Sequence, residues 1–401
     1  MAARWLEAHA GERLAEYLGQ IAEHYVQAGE NDLAAAYLER SGDEALRTNT
    51  YQPAREAFTR ALDLLPSEAP GRPALLVKLG QACWNLSDYP AATAALEPAL
   101  EAARRQDDKL QQANALYWLS QVAVKRAEYS QAQDILSGSL TLAEAVGGET
   151  LARHLYGLGD VSWRLGKTDE AKKHLEGCLS LARREGLSLL VLYALNRLGT
   201  LEDDTQPEGL EAAKQFYDEC LVLARVTGNR EREATALYNL GMLCWSRGEY
   251  PEAKVFHQAS LEIDLDLGMP ENIAYDLSCL AGIEVELGNL QEAWHLIQEA
   301  LTLARPLGAP HVLLTIIWGY ARLRGVAGDV EHALALYGLI FNHPAFNLSE
   351  TRIYSQREIA RLNADPVTAE AIMARGASLK LEDVIAEIQA YPGPPSPSAV
   401  G

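Results

Sequence analysis

The sequence has no excess of basic residues and no long apolar run. Its 35 lysines and arginines are outnumbered by 55 aspartates and glutamates, which gives a formal charge of −20. Nucleic-acid binding depends on neutralising phosphates with basic side chains, so this balance argues against a nucleic-acid partner. No uninterrupted apolar stretch reaches the roughly 18 residues of a membrane-spanning helix. No signal-peptide pattern stands at the N-terminus, so we expect no membrane partner either.

Paired cysteines are also missing. The five cysteines stand singly within helical patterns, without a C-x-x-C pair, at Cys83, Cys178, Cys220, Cys244 and Cys279. This usage predicts buried thiols in a reducing compartment, not a disulfide framework or a zinc site. We therefore expect a cytoplasmic protein.

Catalytic motifs are lacking as well. Gly166-Lys167-Thr168 ends like a phosphate-binding loop, but Val161 stands where that motif requires its first glycine. Glu292 and His295 have the E-x-x-H spacing of di-iron bundles, yet no second pair accompanies them, so we interpret them as surface positions. We expect no catalytic residue, no metal, no cofactor and no enzymatic activity.

What the sequence does contain is a repeat. A small residue in one helical segment is followed about twelve residues later by an alanine in the next, and these alanines recur every 38 to 42 residues. The small residues are Gly80, Ser120, Gly159, Gly199, Gly241, Ala281 and Ala321, and the alanines are Ala54, Ala92, Ala132, Ala171, Ala213, Ala253, Ala293 and Ala333. A fixed period of this size indicates stacked helical units in an all-α fold.

Each unit is predicted to be two antiparallel helices joined by a tight turn. In residues 234–268 the turn is Gly248-Glu249-Tyr250, and Pro251 opens the second helix, where its missing N–H costs nothing. Glycine in such a turn permits the positive φ of a helix C-cap. The small residues should let the two helices approach closely.

Two departures from the period are visible. The spacing from Gly199 to Ala213 is 14, and the acidic insert from Glu202 to Glu208 predicts a longer turn with a kink or bulge. The first unit, residues 41–66, lacks the usual glycine, and residues 12–29 are predicted to form one more amphipathic helix against it.

The small residue at position eight and the alanine at position twenty of each unit resemble the tetratricopeptide repeat. The period near 40 is similar to the longer-helix variety found in kinesin light chains and bacterial signalling proteins. This resemblance implies a right-handed α-solenoid of about eight helix pairs over residues 31–341. Residues 1–30 would be an N-terminal capping helix, residues 342–390 a C-terminal helical cap, and residues 391–401 a disordered tail.

Both ends resemble one class of bacterial regulator. The run from Leu14 through Tyr25 to Asp43 resembles the entry to the repeats of multidomain ATPases of the signal-transduction (STAND) class. Ala374 to Ile385 resembles the closing segment of the same proteins, although Lys380 lengthens that motif by one residue. The resemblance implies the sensor arm of such a regulator, detached or standing alone, with a nucleotide-binding domain as a possible partner.

By the same resemblance, the concave groove of the repeats would bind an extended peptide through fixed positions of the first helices. Counting from position eight gives fourteen candidates: Gln81, Trp84, Asn114, Tyr117, Gln121, Arg153, Tyr156, Trp163, Tyr193, Asn196, Tyr238, Trp245, Tyr275 and Trp318. Aromatic side chains offer large contact area at low entropic cost, which suits a peptide groove. For Trp84, Trp163 and Trp245, structural filling of the repeat is the alternative.

The leading hypothesis is therefore a non-catalytic module that binds and senses a peptide, a protein segment or a domain of its own regulator. The alternative is a static assembly scaffold that self-associates through an uncapped end.

Overall fold

The computed structural model describes residues 2–9, 11–203, 209–345 and 359–394, and in these ranges the chain is helical without strands. The first helices of successive pairs are α3 (Asn31–Arg47), α5 (Arg72–Asn85), α7 (Lys109–Lys125), α9 (Gly148–Arg164), α11 (Ser188–Asp203), α13 (Arg230–Ser246), α15 (Pro270–Glu286) and α17 (Pro310–Val326). The second helices are α4 (Tyr51–Leu64), α6 (Tyr89–Arg105), α8 (Tyr129–Val146), α10 (Thr168–Glu185), α12 (Gly209–Thr227), α14 (Tyr250–Leu267), α16 (Leu290–Ala304) and α18 (Val330–Asn342). This is the predicted all-α solenoid of tetratricopeptide-like helix pairs. Two compact units, residues 1–197 and 198–401, divide it.

The turns between paired helices use a left-handed residue, as the glycines indicated. Gly166, Gly248 and Gly288 have φ of 73°, 77° and 81°. Ser87 and Ala127 adopt the same conformation, at 59° and 60°, without the freedom of glycine. The left-handed conformation strains residues that carry a Cβ, so the geometry of the repeat imposes it on the backbone of both residues.

Position eight is where the paired helices meet most closely. A Cβ at Gly80 would lie 2.5 Å from Cγ of Leu96, and a Cβ at Gly159 would lie 2.6 Å from Cγ of Leu175. Each pair is separated by sixteen residues, so the packing repeats with the sequence period. Contrary to our expectation, the first unit does have this glycine, because its first helix begins at Asn31 and its Gly42 lies against the ring of Phe58.

The longer spacing between Gly199 and Ala213 is accommodated by a longer connection between α11 and α12. Gly199 packs against Tyr217, eighteen residues later, and not sixteen as in the other pairs. α11 ends at Asp203 and α12 begins at Gly209, so the turn is longer, as predicted. The predicted kink or bulge falls on residues 204–208, which lie outside the described residues.

The N-terminal region contains two α-helices where one was predicted. They are α1 (Ala2–His9) and α2 (Leu14–Gln27), and a 3-10 turn (Gly11–Arg13) leads directly into α2. The hydroxyl of Tyr25 donates to Glu7 at 2.7 Å, and the buried Ala3 and Ile21 pack with Ala34 of α3. These helices cover the apolar side of the first repeat.

Two further helices follow the last repeat within residues 359–394. α19 (Pro366–Gly376) crosses α18 at a pair of glycines, Gly338 and Gly376, each of which faces backbone of the opposite helix. After α20 (Leu381–Ala390), the ring of Tyr391 lies 5.1 Å from that of Trp294, with their planes at 87°. Residues 391–394 thus pack on α16, while the rest of the predicted tail lies outside the described residues.

Candidate functional site

All fourteen predicted groove residues lie on first helices, and all are half-buried. Neighbouring residues of the same helices, such as Ala82, Ala115 and Ala194, are fully buried. The counting rule therefore selects positions at the margin of the core, where part of each side chain remains accessible.

In residues 1–197 three of the predicted tyrosines belong to aromatic pairs. The ring of Tyr117 lies 5.8 Å from that of His154, and the ring of Tyr156 lies 5.6 Å from that of Tyr193. His154 is fully buried, its Nδ1 lies 2.9 Å from the carbonyl oxygen of Thr150, and burial lowers its pKa. Burial also raises the pKa of Tyr117, so both groups are neutral at physiological pH.

Trp163 lies in a charged setting that its sequence position did not indicate. The guanidinium of Arg197 stands 4.3 Å from its ring centroid and that of Arg164 stands 5.7 Å away. Asp160 bridges the two cations, at 2.7 Å from Arg197 and 2.9 Å from Arg164. Burial opposes ionisation of Asp160, but the two guanidinium groups outweigh it and hold its pKa below the ordinary value. These contacts support the alternative that Trp163 fills the repeat.

Trp84 is engaged in a similar way. Its ring lies 5.4 Å from that of Trp118, and the ammonium group of Lys125 lies 5.3 Å from its centroid. The predicted polar residues of this unit have mostly local contacts: the carbonyl of Gln81 accepts from Asn85 at 2.9 Å, and Arg153 pairs with Glu149 one turn earlier. Asn114 and Gln121 of α7 and Asn196 of α11 are half-buried as well.

In residues 198–401 three predicted residues meet at one pocket. Tyr238 and Trp245 of α13 and Trp318 of α17 line a cavity of about 60 Å³, with α15 between them. The rings of Trp245 and Trp318 lie 5.8 Å apart with their planes at 75°. Three consecutive repeats therefore contribute to a single aromatic pocket, which we call the tryptophan pocket. Its other lining residues are Met242, His257, Ser278, Cys279, Gly282, Ile283, Thr315, Gly319 and Arg322.

The tryptophan pocket has a fixed cation on one side. The guanidinium of Arg322 stands 4.6 Å from the centroid of Trp245 and pairs with Glu286, which also pairs with Arg361. On the other side, the thiol of Cys279 contacts the Tyr238 hydroxyl at 3.8 Å, and burial raises its pKa to about 12. The pocket wall is thus largely apolar, and its one charge is already compensated.

Several residues of the tryptophan pocket were not among the predicted groove residues, although their positions in the repeat could have identified them. Gly282 and Arg322 occupy position nine and Thr315 position two of their repeats, so the same counting continued to the last units would have found them. The remaining predicted residue, Tyr275, lies outside this pocket with its ring 6.2 Å from that of His311.

The described residues contain no group of three His, Cys, Asp or Glu side chains that could hold a metal ion. None of their helices combines the length and apolar character needed to cross a membrane.

Three family models match the chain, each described as a tetratricopeptide repeat, at residues 40–97, 152–185 and 208–266. A search of curated protein sequences gives no match.

Similar solved structures share the fold at low sequence identity. A Rap protein in complex with competence and sporulation factor is 15% identical, with a TM-score of 0.66 over 88% of this chain and 99% of that one. The apo quorum sensor NprR from B. thuringiensis is 14% identical, with a TM-score of 0.53 over 88% and 97%. A signal transduction ATPase with a tetratricopeptide repeat sensor, from Pyrococcus horikoshii, is 14% identical, with a TM-score of 0.57 over 89% and 54%.

Proposed function

Because the chain is a tetratricopeptide-repeat protein, we propose that it is a non-catalytic binding module that holds a peptide or protein segment on the side formed by its first helices. The observation that carries this proposal is the tryptophan pocket, to which Tyr238, Trp245 and Trp318 contribute. Aromatic pockets of this kind anchor single side chains of a ligand and supply most of the binding energy.

The polar residues around the aromatic ones suit an extended ligand. Asn114 and Gln121 are half-buried on α7, and Asn196 is half-buried on α11. Amide side chains can donate to and accept from the backbone of a bound strand. We propose that these residues, together with Tyr117 and Tyr156, form a second stretch of ligand contacts.

The structural neighbours favour a role in signalling. One neighbour is a Rap protein complexed with competence and sporulation factor, one is a quorum sensor, and one is an ATPase with a tetratricopeptide repeat sensor. By analogy we propose a peptide-sensing arm of a bacterial signalling protein, with a nucleotide-binding domain as a further partner. The five free thiols, four of them buried, agree with a cytoplasmic setting.

The proposal is tested by selecting ligands from a displayed library of random peptides on the purified chain. Binding of the selected, fluorescently labelled peptides is then measured by anisotropy for wild type, Trp318→Ala and Trp5→Ala. Trp5 is 60% exposed on α1 and provides the matched tryptophan control. We expect Trp318→Ala to weaken binding at least tenfold, since removing an aromatic anchor costs about 2 kcal/mol or more, and Trp5→Ala to leave it unchanged.

Equal affinities for the two variants, both with wild-type circular dichroism, would remove the pocket from the binding site. If no peptide is selected and light scattering shows association that grows with concentration, the chain is a self-associating scaffold instead.

A further inference from the structure

A second pocket shares Tyr238 with the tryptophan pocket. It has a volume of about 290 Å³, and its walls come from α13, α14 and α15. The lining residues are Ala234, Thr235, Tyr238, Ser260, Asp264, Asn272 and Tyr275. We call it the acidic pocket, because Asp264 is its one charged residue.

Asp264 is buried with little to stabilise its negative charge. The residue is 2% exposed, and its carboxylate accepts a hydrogen bond from Asn272 at 3.3 Å. Burial raises its pKa to about 6, with smaller contributions in the same direction from the negative charges of Asp276 on α15 and Glu231 on α13. A buried carboxylate is normally paired with a cation, so this carboxylate lacks a counter-charge among the described groups acting on it.

The polar groups around Asp264 can accept hydrogen bonds more readily than donate them. The hydroxyl of Ser260 donates to the carbonyl of Ala234 at 3.1 Å, and that of Thr235 donates to the carbonyl of Glu231 at 2.9 Å. The side-chain N–H of Asn272 is directed to Asp264 itself. Because these donors are used within the protein, their oxygens face a ligand as acceptors.

The aromatic walls have the same preference. Tyr238 and Tyr275 line the pocket, and the faces of tyrosine rings carry the negative part of the ring quadrupole, which attracts cations. The pocket does not offer a set of ligands for a bare metal ion, since the described residues contain no group of three His, Cys, Asp or Glu side chains that could hold one. An organic cation with several N–H donors fits both the acceptors and the rings.

We infer that the acidic pocket binds an ammonium or guanidinium group of the ligand, beside an apolar side chain in the tryptophan pocket. This inference rests on the proposed function and adds the chemical class of the ligand. Because Tyr238 lines both pockets, the cation and the apolar side chain must lie close together in the ligand. The cation would come from a lysine or arginine side chain or from a peptide's free N-terminus.

The inference is tested by running the peptide selection on wild type, Asp264→Asn and Asp266→Asn in parallel. Asp266 lies on the same helix, is exposed and pairs with Arg230 at 3.2 Å, so it is a matched control for the loss of one charge. We expect arginine or lysine next to an apolar residue among the peptides selected by wild type and Asp266→Asn, but not among those selected by Asp264→Asn.

One selected peptide then separates the sources of the cation. It is synthesised with citrulline in place of arginine, and separately with an acetylated N-terminus. Loss of the recognised cation should weaken binding to wild type about tenfold or more, because it removes hydrogen bonds to a charged group, and should leave binding to Asp264→Asn unchanged. Affinity for the cationic peptide should also fall as the pH is lowered through about 6, where Asp264 becomes protonated.

Selected peptides that depend on Trp318 but show no basic preference would overturn this inference and leave the proposed function standing. Equal citrulline effects on wild type and Asp264→Asn would also overturn it. If no selected peptide depends on Trp318, the proposed function fails, and this inference fails with it.

Discussion

The packing of paired helices at position eight makes a strong prediction about Gly159. A Cβ there would lie 2.6 Å from Cγ of Leu175, which is fully buried, and 3.3 Å from the carbonyl oxygen of Ala171. Overpacking of this kind costs about 1–3 kcal/mol. Gly138 lies on the exposed side of α8, where a Cβ would meet nothing within 4 Å. Replacing a glycine in a helix interior by alanine stabilises the folded state by about 0.5–1 kcal/mol, and this contribution applies to both Gly138 and Gly159.

We therefore expect Gly138→Ala to stabilise the protein by up to about 1 kcal/mol and Gly159→Ala to be less stable than Gly138→Ala by about 1–3 kcal/mol. The assay is urea unfolding followed by far-ultraviolet circular dichroism, with m-values compared to detect loss of cooperativity in the repeats. Equal midpoints for the two variants would refute close helix approach at position eight.

Three further substitutions test local features. Asp160→Asn should destabilise the protein by about 3 kcal/mol, because it removes the buried carboxylate that pairs with both Arg197 and Arg164; an unchanged urea midpoint would contradict this. Ala127→Gly should raise the melting temperature through a gain of about 1 kcal/mol, since Ala127 has a φ of 60°, and a lower melting temperature would argue against the turn. Asp264 has a folded pKa of about 6 against 3.8 ordinarily, so the folded state retains a proton that the unfolded state has lost. Stability should fall as pH rises from about 4 to about 6, and Asp264→Asn should flatten this fall.

Much of the fold could be predicted from the sequence because the period acts everywhere. A small residue at position eight is required where paired helices pack closely, as at Gly80 and Gly159, and a left-handed residue follows each first helix whose turn the structure describes. The first repeat was misjudged, since its first helix begins at Asn31, ahead of residue 41, and Gly42 was therefore not recognised as its position-eight glycine. The ends were predicted less well, because helices such as α1 and α19 pack by contacts that follow no repeat.

The sequence predicted which repeat positions contribute to the candidate site, but not which residues contact one another there. Counting located Tyr238, Trp245 and Trp318, yet it could not show that three repeats converge on one pocket. The charged setting of Trp163 depends on Arg197, more than thirty residues away. Asp264 was missed because it lies on a second helix, whereas the counting rule considers first helices alone.

The central claim is that a peptide binds at the tryptophan pocket, and fluorine NMR of protein labelled with 5-fluorotryptophan tests it directly. The seven tryptophans give seven signals, which single Trp→Phe variants assign. On addition of a selected peptide, the account predicts shifts of the Trp245 and Trp318 signals, with those of Trp5 and Trp294 unchanged. Saturable binding that leaves the Trp245 and Trp318 signals in place would contradict it.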